Sequence, residues 1–206
     1  MWRQREMSAV ILAGGAGQRL GCPKAAMEFR PGETLLARKV SQLRPHFERI
    51  IIVANQPVHD AQPFPDMDTL TDHSDYQGPL VALATVFQSY ADRTEKLFIT
   101  GCDFPFFRPQ TIRLLDEKLS NNDLALFNHA AHLIPLAAIY RTRLSGHLND
   151  LVASGERRLM RFIDTCSRSI LPSVALQTFD PEFTSLLNVN TPEDLATARA
   201  LDNADL

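Results

Sequence analysis

Short apolar runs alternate with amphipathic stretches along most of the chain. Ser8–Ala13 (SAVILA), Arg49–Ala54 (RIIIVA) and Lys96–Gly101 (KLFITG) are apolar almost without interruption. Runs of this length and continuity predict central strands covered on both faces, rather than half-exposed ones. Asp68–Thr71 reads as a further short strand. Between the runs, Thr34–Leu43, Pro79–Tyr90 and Pro109–Leu119 carry helical spacing, and each opens at a Thr or Pro suited to a helix start.

The second half is less regular. Leu124–Phe127 and Leu133–Tyr140 predict strands, and Ser145–Ala153 and Leu159–Thr165 predict helices. Ser173–Gln177 and Leu186–Val189 read as short strands before a last helix over about Pro192–Leu201. That helix has a legible start, with Thr191 as cap, Pro192 at its first position, and Glu193 and Asp194 in the first turn. Strands alternating with helices predict a three-layer α/β/α architecture around a mostly parallel sheet. The Pro-rich stretch Gln56–Asp66 reads as an exposed connection, and the whole of 1–206 as one domain.

Composition then narrows the classes. Twenty-one Lys and Arg against 24 Asp and Glu, a formal charge of −3, argue against a nucleic-acid partner. The apolar stretch after Met1–Glu6 stops at glycines, which makes a poor signal peptide. No run approaches the ~18 apolar residues of a membrane helix. Cys22, Cys102 and Cys166 are odd in number and widely spaced, so neither a disulfide framework nor a zinc site is indicated, and a cytoplasmic protein is expected. The six histidines show no catalytic or metal spacing.

Glycine is used sparingly except in one place. Of nine glycines, Gly14, Gly15, Gly17 and Gly21 fall within eight residues directly after the first predicted strand. Such a loop can approach an anion closely and present N–H groups to it. It is not a Walker loop, because no Gly-Lys pair exists. Nor is it a dinucleotide fingerprint, because Leu20 stands where the third glycine should be. It does carry two cations, Arg19 and Lys24, which suit a triphosphate and the charge that develops as pyrophosphate leaves. Asp103 follows the strand Lys96–Gly101, on the edge where open α/β sheets bind ligands. Asn188 and Asn190 would share a face if that segment were extended. Asn190 also has a rival position beside the Thr191 cap, which favours Asn188 as the site contact. Residues 55–91 hold no Lys or Arg but five Asp, whereas the first 24 residues carry three Arg and one Lys against one Glu. Acids for a metal and bases for phosphates could meet at one sheet edge.

These motifs together resemble the Rossmann-like nucleotidyltransferases, and most closely the molybdenum cofactor guanylyltransferases. The resemblance is carried by Leu12-Ala13-Gly14-Gly15-Ala16-Gly17, Asp75-Tyr76-Gln77-Gly78-Pro79-Leu80, Cys102-Asp103-Phe104-Pro105, Ile134-Pro135-Leu136, Gly155-Glu156-Arg157-Arg158 and Asn188-Val189-Asn190-Thr191-Pro192. It covers residues 8 to 200 or so. It implies transfer of GMP from Mg-GTP to molybdenum-bound molybdopterin, with residues 8–105 binding the nucleotide and residues 106–200 the acceptor. Arg19, Lys24 and Asp103 would be catalytic, with Asp103 the Mg²⁺ ligand. Leu12, Ala13, Gly14, Gly15, Gly17, Lys24, Asn55, Gly78, Pro79, Leu80 and Asp103 would contact the nucleotide, with Asp72 or Asp75 beside them. Arg157, Arg158, Asn188 and Asn190 would meet the acceptor, and other cofactor-assembly proteins would be partners.

The chain departs from the pattern at three places. Pro23 stands before the lysine where these enzymes commonly have Asp, whereas the sister cytidylyltransferases often have Pro-Lys, as here. Val81-Ala82 replaces the usual Ala-Gly. Val53 occupies a position that is polar in some members. The Gly14-Gly15 pair and Gly78-Pro79-Leu80 favour GTP over CTP. Transfer to a sugar phosphate and a non-catalytic nucleotide-binding role are the other readings. Retention of Arg19, Lys24, Asp103 and Asn188 together argues against the latter.

Overall fold

The computed structural model describes residues 6–14, 22–54, 67–71, 78–106 and 108–204. Its centre is a seven-stranded sheet. The strands are β1 (Met7–Leu12), β4 (Ile50–Ala54), β5 (Asp68–Thr71), β6 (Lys96–Gly101), β7 (Leu124–His129), β8 (His132–Arg141) and β9 (Arg168–Pro172). A separate hairpin is formed by β2 (Glu28–Arg30) and β3 (Glu33–Thr34). The order across the sheet is β5-β4-β1-β6-β8-β7-β9, with β8 the strand that runs antiparallel to its neighbours.

The apolar runs form the middle of this order, as expected. Every residue of β1 and β4 is buried. Alternation within them feeds two cores. Ala9, Ile11, Ile50 and Ile52 face α1 (Leu35–Leu43) and α3 (Pro109–Leu119). Val10, Leu12, Ile51 and Val53 face α2 (Pro79–Tyr90), α4 (Ser145–Ala153) and α5 (Leu159–Asp164). The result is the expected three-layer α/β/α arrangement. A third, smaller core seats α6 (Pro192–Ala204) against Phe29 and Leu35.

Local chemistry sets the helix starts. The Thr34 side chain accepts a hydrogen bond from Ala37 N at 3.1 Å, and Pro opens α2 and α3. Asp194 Oδ2 accepts from the backbone N–H groups of Asn190 and Thr191, both at 2.9 Å, while Asp194 N donates to Thr191 Oγ1 at 3.1 Å. This reciprocal cap anchors α6.

Two predicted strands are absent. Ser173–Leu176, within the expected Ser173–Gln177 strand, is a 3-10 turn, and the strand lies just before it as β9, paired in parallel with β7. Leu186–Val189 is not a strand either, since a 3-10 turn covers Thr184–Leu186. Asp180 stabilises that turn by accepting from the backbone N–H groups of Thr184 and Ser185.

The antiparallel placement of β8 follows from its connection to β7. Only Ala130 and Ala131 separate the paired residues His129 and His132, with φ of 48° and 65°. Two left-handed residues in a two-residue loop give the tight hairpin geometry, and such a loop can join only antiparallel neighbours. Alanine is strained in that conformation. Ala131→Gly is therefore expected to raise stability by about 0.5–1 kcal/mol, read as a higher urea midpoint. An unchanged or lower midpoint would contradict the loop geometry.

Candidate active site

The carboxyl ends of β1 and β6 lie side by side, and the site is built on them. Ala13 N donates to Val53 O at 2.8 Å and Cys102 N to Leu12 O at 3.2 Å, so the first residues after β1 are held between β4 and β6. Leu12 and Ala13 are buried and Gly14 is exposed, so the glycine loop begins where the chain leaves the sheet. Gly15, Gly17, Arg19, Asn55, Asp72 and Asp75 lie outside the described residues.

Beyond the loop, Pro23 leads into a 3-10 turn over Lys24–Ala26. This turn aims Lys24 across the strand ends. Its Nζ donates to Asp103 Oδ2 at 2.8 Å and to Asn190 Oδ1 at 2.5 Å. Three residues from the beginning, middle and end of the chain thus converge on one point. Lys24 and Asp103 are 18% and 14% exposed in their side chains, so solvent screens their attraction only partly. Of the two candidate asparagines, Asn190 reaches this cluster, while Asn188 is exposed. Val189 between them is buried and donates its N–H to Asp103 O at 2.8 Å, tying the segment to the Asp103 turn.

The Asp103 turn is braced from below by α1. Arg38 Nε and Gln42 Nε2 both donate to Pro105 O at 2.9 Å. Arg38 also stacks over Phe29, with its guanidinium carbon 4.4 Å from the ring centroid, and reaches Asp202 of α6 at 2.5 Å. Between them on the helix sits Lys39, only 2% exposed. Burial pulls its ammonium down to about 7, against the opposing attraction of Asp103. Burial, reinforced by Asp103, pushes the Cys102 thiol up to about 12, so it stays protonated and unreactive. Sequence reading missed Arg38, Lys39 and Gln42. A buried lysine in an amphipathic helix carries no local pattern that sets it apart from a solvated one.

Gly101 was also missed. A Cβ there would lie 2.1 Å from Asp103 Oδ1, so the carboxylate folds back over the space glycine leaves open. The signal was its place immediately before Cys102-Asp103.

The proposed acceptor residues lie in the turn between α4 and α5. Glu156 Oε1 accepts from the backbone N–H groups of Arg157 and Arg158, both at 2.9 Å, and from Arg158 Nε at 3.1 Å. The Arg158 side chain is the main cause that holds the Glu156 carboxyl down to about 2. Arg157 Nη1 donates to the carbonyls of Val152 and Glu156. This turn touches the Gly78-Pro79-Leu80 segment at the start of α2. Gly78 has φ 97°, a conformation L side chains rarely adopt, and a Cβ on it would meet Arg157 O at 3.4 Å. Gly78→Ala is expected to cost about 1–2 kcal/mol through the left-handed backbone, lowering Tm by about 2–8 °C. A variant as stable as the parent would contradict the conformation.

Hard oxygen donors, one anionic and one neutral, around a position already held by a cation match the preferences of Mg²⁺. Asp103 and Asn190 could supply two such ligands. Among the described residues no three His, Cys, Asp or Glu side chains converge as a metal group.

The chain matches the model of the MobA-like NTP transferase domain over residues 9–170. It is 31% identical over 202 residues to a probable molybdenum cofactor guanylyltransferase of Chloroflexus aggregans, covering 94% of each chain. A molybdenum cofactor guanylyltransferase of Haemophilus influenzae is 30% identical over 162 residues, 76% of this chain and 82% of that one. Among solved structures, molybdopterin-guanine dinucleotide biosynthesis protein A from Archaeoglobus fulgidus superposes with a TM-score of 0.81 at 20% identity, over 96% of this chain and 99% of that one. The 2-C-methyl-D-erythritol 4-phosphate cytidylyltransferase of Thermus thermophilus gives 0.70 at 13% identity, over 94% and 98%.

Proposed function

The chain belongs to the MobA-like NTP transferase family, and from that premise we propose that it moves GMP from Mg-GTP to the terminal phosphate of molybdenum-bound molybdopterin. The products are the guanine dinucleotide form of the cofactor and pyrophosphate. The observation that carries this reading is the Lys24–Asp103–Asn190 cluster at the carboxyl edge of the sheet, beside Gly14.

The acceptor is a phosphate that is largely ionised at neutral pH, so no general base is required to make it a nucleophile. Its oxygen forms the new bond to the α-phosphorus as the bond to the bridging oxygen of pyrophosphate breaks in line. What the protein supplies is position and charge. Gly14, Gly15 and Gly17 present backbone N–H groups to the phosphates, with Leu12, Ala13, Asn55, Asp72, Gly78, Pro79 and Leu80 completing the nucleotide side. Lys24 and Arg19 offset the charge that builds on the departing pyrophosphate. Asp103 and Asn190 would hold Mg²⁺, which would neutralise phosphate charge and polarise the reacting phosphoryl group. Arg157, Arg158 and Asn188 meet the anionic pterin phosphate. The closeness of the Arg157 carbonyl to Gly78, where a Cβ would meet it at 3.4 Å, supports this geography, because it brings acceptor and nucleotide segments together.

Three free cysteines, two of them buried, accord with a reducing compartment, and we place the reaction in the cytoplasm, with handover of the product to other cofactor-assembly proteins. Among the described residues no helix is long and apolar enough to cross a membrane.

A transfer assay with α-labelled GTP tests the acceptor. Label should pass to a pterin dinucleotide when molybdenum-loaded molybdopterin is present. Label appearing instead on a sugar phosphate or polyol phosphate would overturn the assignment. The Pro23-Lys24 sequence is the one feature that favours CTP as donor, so α-labelled CTP belongs in the same assay.

A further inference from the structure

Lys24 occupies the two oxygens read above as metal ligands. Its ammonium bridges Asp103 Oδ2 and Asn190 Oδ1 at 2.8 and 2.5 Å. Magnesium needs its oxygen ligands at about 2.0–2.1 Å, so it can take these same two oxygens only as the ammonium moves off them. The partners are fixed from behind. Val189 N–H binds the Asp103 carbonyl, and the Asp194 carboxylate binds the Asn190 N–H. The lysine stem, rooted in a single 3-10 turn, is the part best able to move.

We propose that Lys24 is an internal cation that closes the metal site of the free enzyme and leaves it when a nucleoside triphosphate draws the ammonium away. This rests on the reading of Asp103 as a metal ligand, and adds to it the order of binding. Metal alone meets a site already neutralised. A triphosphate offers Lys24 a stronger anionic partner and frees Asp103 and Asn190 as it brings its own metal. By linkage, nucleotide and metal then tighten each other's binding by the same factor. Lys39 marks the alternative, a field effect without occupancy. It too carries its charge near Asp103, but from the buried side.

Manganese binding to the nucleotide-free, full-length protein decides the matter, followed by the resonance of free Mn²⁺ at pH 6.5. Lys24→Met is expected to bind Mn²⁺ about tenfold more tightly than the parent, the scale of one charge-assisted hydrogen bond. Lys24→Gln should behave alike, and thermal melts of both report whether they are folded. Lys39→Met should gain less than about threefold, since it removes a nearby charge without vacating the ligand position. No gain in either Lys24 variant overturns the proposal, as does an equal gain in Lys39→Met. The double variant Lys24→Met with Asp103→Asn separates this failure from that of the underlying reading. Loss of the gain supports both, while a retained gain means that Asp103 is not the ligand and removes the proposal with it.

Discussion

Asp103→Asn is expected to lower kcat/KM for Mg-GTP by about 10³-fold while leaving the fold intact. The substitution keeps the size of the side chain, so the space over Gly101 stays filled and the amide oxygen can still accept from Lys24. The backbone carbonyl of residue 103 still receives Val189 N–H, so the turn keeps its tie to the segment carrying Asn190. What disappears is the negative charge of the pair, and with it the anionic ligand offered to Mg²⁺. Raising Mg²⁺ should recover part of the rate, because the loss lies in holding the metal rather than in folding. Steady-state kinetics over a range of Mg²⁺, with a melt to show that Tm moves by less than about 2 °C, provide the check. Near-normal turnover at ordinary Mg²⁺ would remove Asp103 from the role.

The largest expected loss of stability comes from Asp180→Ala. Asp180 is fully buried, yet charged and fully engaged. It accepts from Thr184 N and Oγ1 at 3.0 and 2.8 Å and from Ser185 N and Oγ at 2.9 and 2.5 Å, with Arg108 Nε 3.3 Å away. Burial alone would push its carboxyl up, but the hydrogen bonds of Ser185 and Thr184 outweigh it and hold the group below the usual carboxylate range. Removing the carboxylate leaves several donors unsatisfied and a guanidinium without its partner. A loss of about 3–5 kcal/mol follows, seen as a fall in Tm of about 6–20 °C.

The sign with pH is fixed by the depressed value. Asp180 stabilises the fold above the unfolded carboxylate pKa of about 3.9, and that contribution fades as pH falls through the lower folded value. The gap between parent and variant in urea should therefore be full at neutral pH and narrow on acidification below about 4. A gap that stays constant into that range would contradict the account. Because Asp180 anchors the turn that leads to Val189 and Asn190, the variant should also lose activity.

How far the sequence foretold this molecule depended on how local each signal was. β1, β4 and β6 were legible because strands covered on both faces must be apolar throughout. α6 was legible because Thr191, Pro192 and Asp194 are cap chemistry written in consecutive residues. β9 was missed because it is an edge strand whose exposed Ile170 and polar Arg168 and Ser169 lack a core-facing pattern; its pairing with β7 is made by backbone. Leu186–Val189 looked extended but is shaped by a carboxylate six residues upstream of Leu186.

The site divides in the same way. Lys24 and Asp103 could be picked out by their spacing from a glycine loop and a strand end. That Asn190 rather than Asn188 meets Lys24 depends on residues 166 apart in the chain, which no local pattern encodes. The bracing of Pro105 by Arg38 and Gln42 is equally non-local, crossing 67 and 63 residues.

The most direct test of the central claim is pyrophosphate release by the wild-type protein with Mg-GTP, Mg-CTP and Mg-ATP, each with and without molybdenum-loaded molybdopterin. Guanylyl transfer by this cluster predicts release with GTP only when the pterin is present, at a rate well above that with CTP or ATP, and its collapse in Asp103→Asn. Release that ignores the pterin and depends on a sugar phosphate, or none with any acceptor, would contradict it.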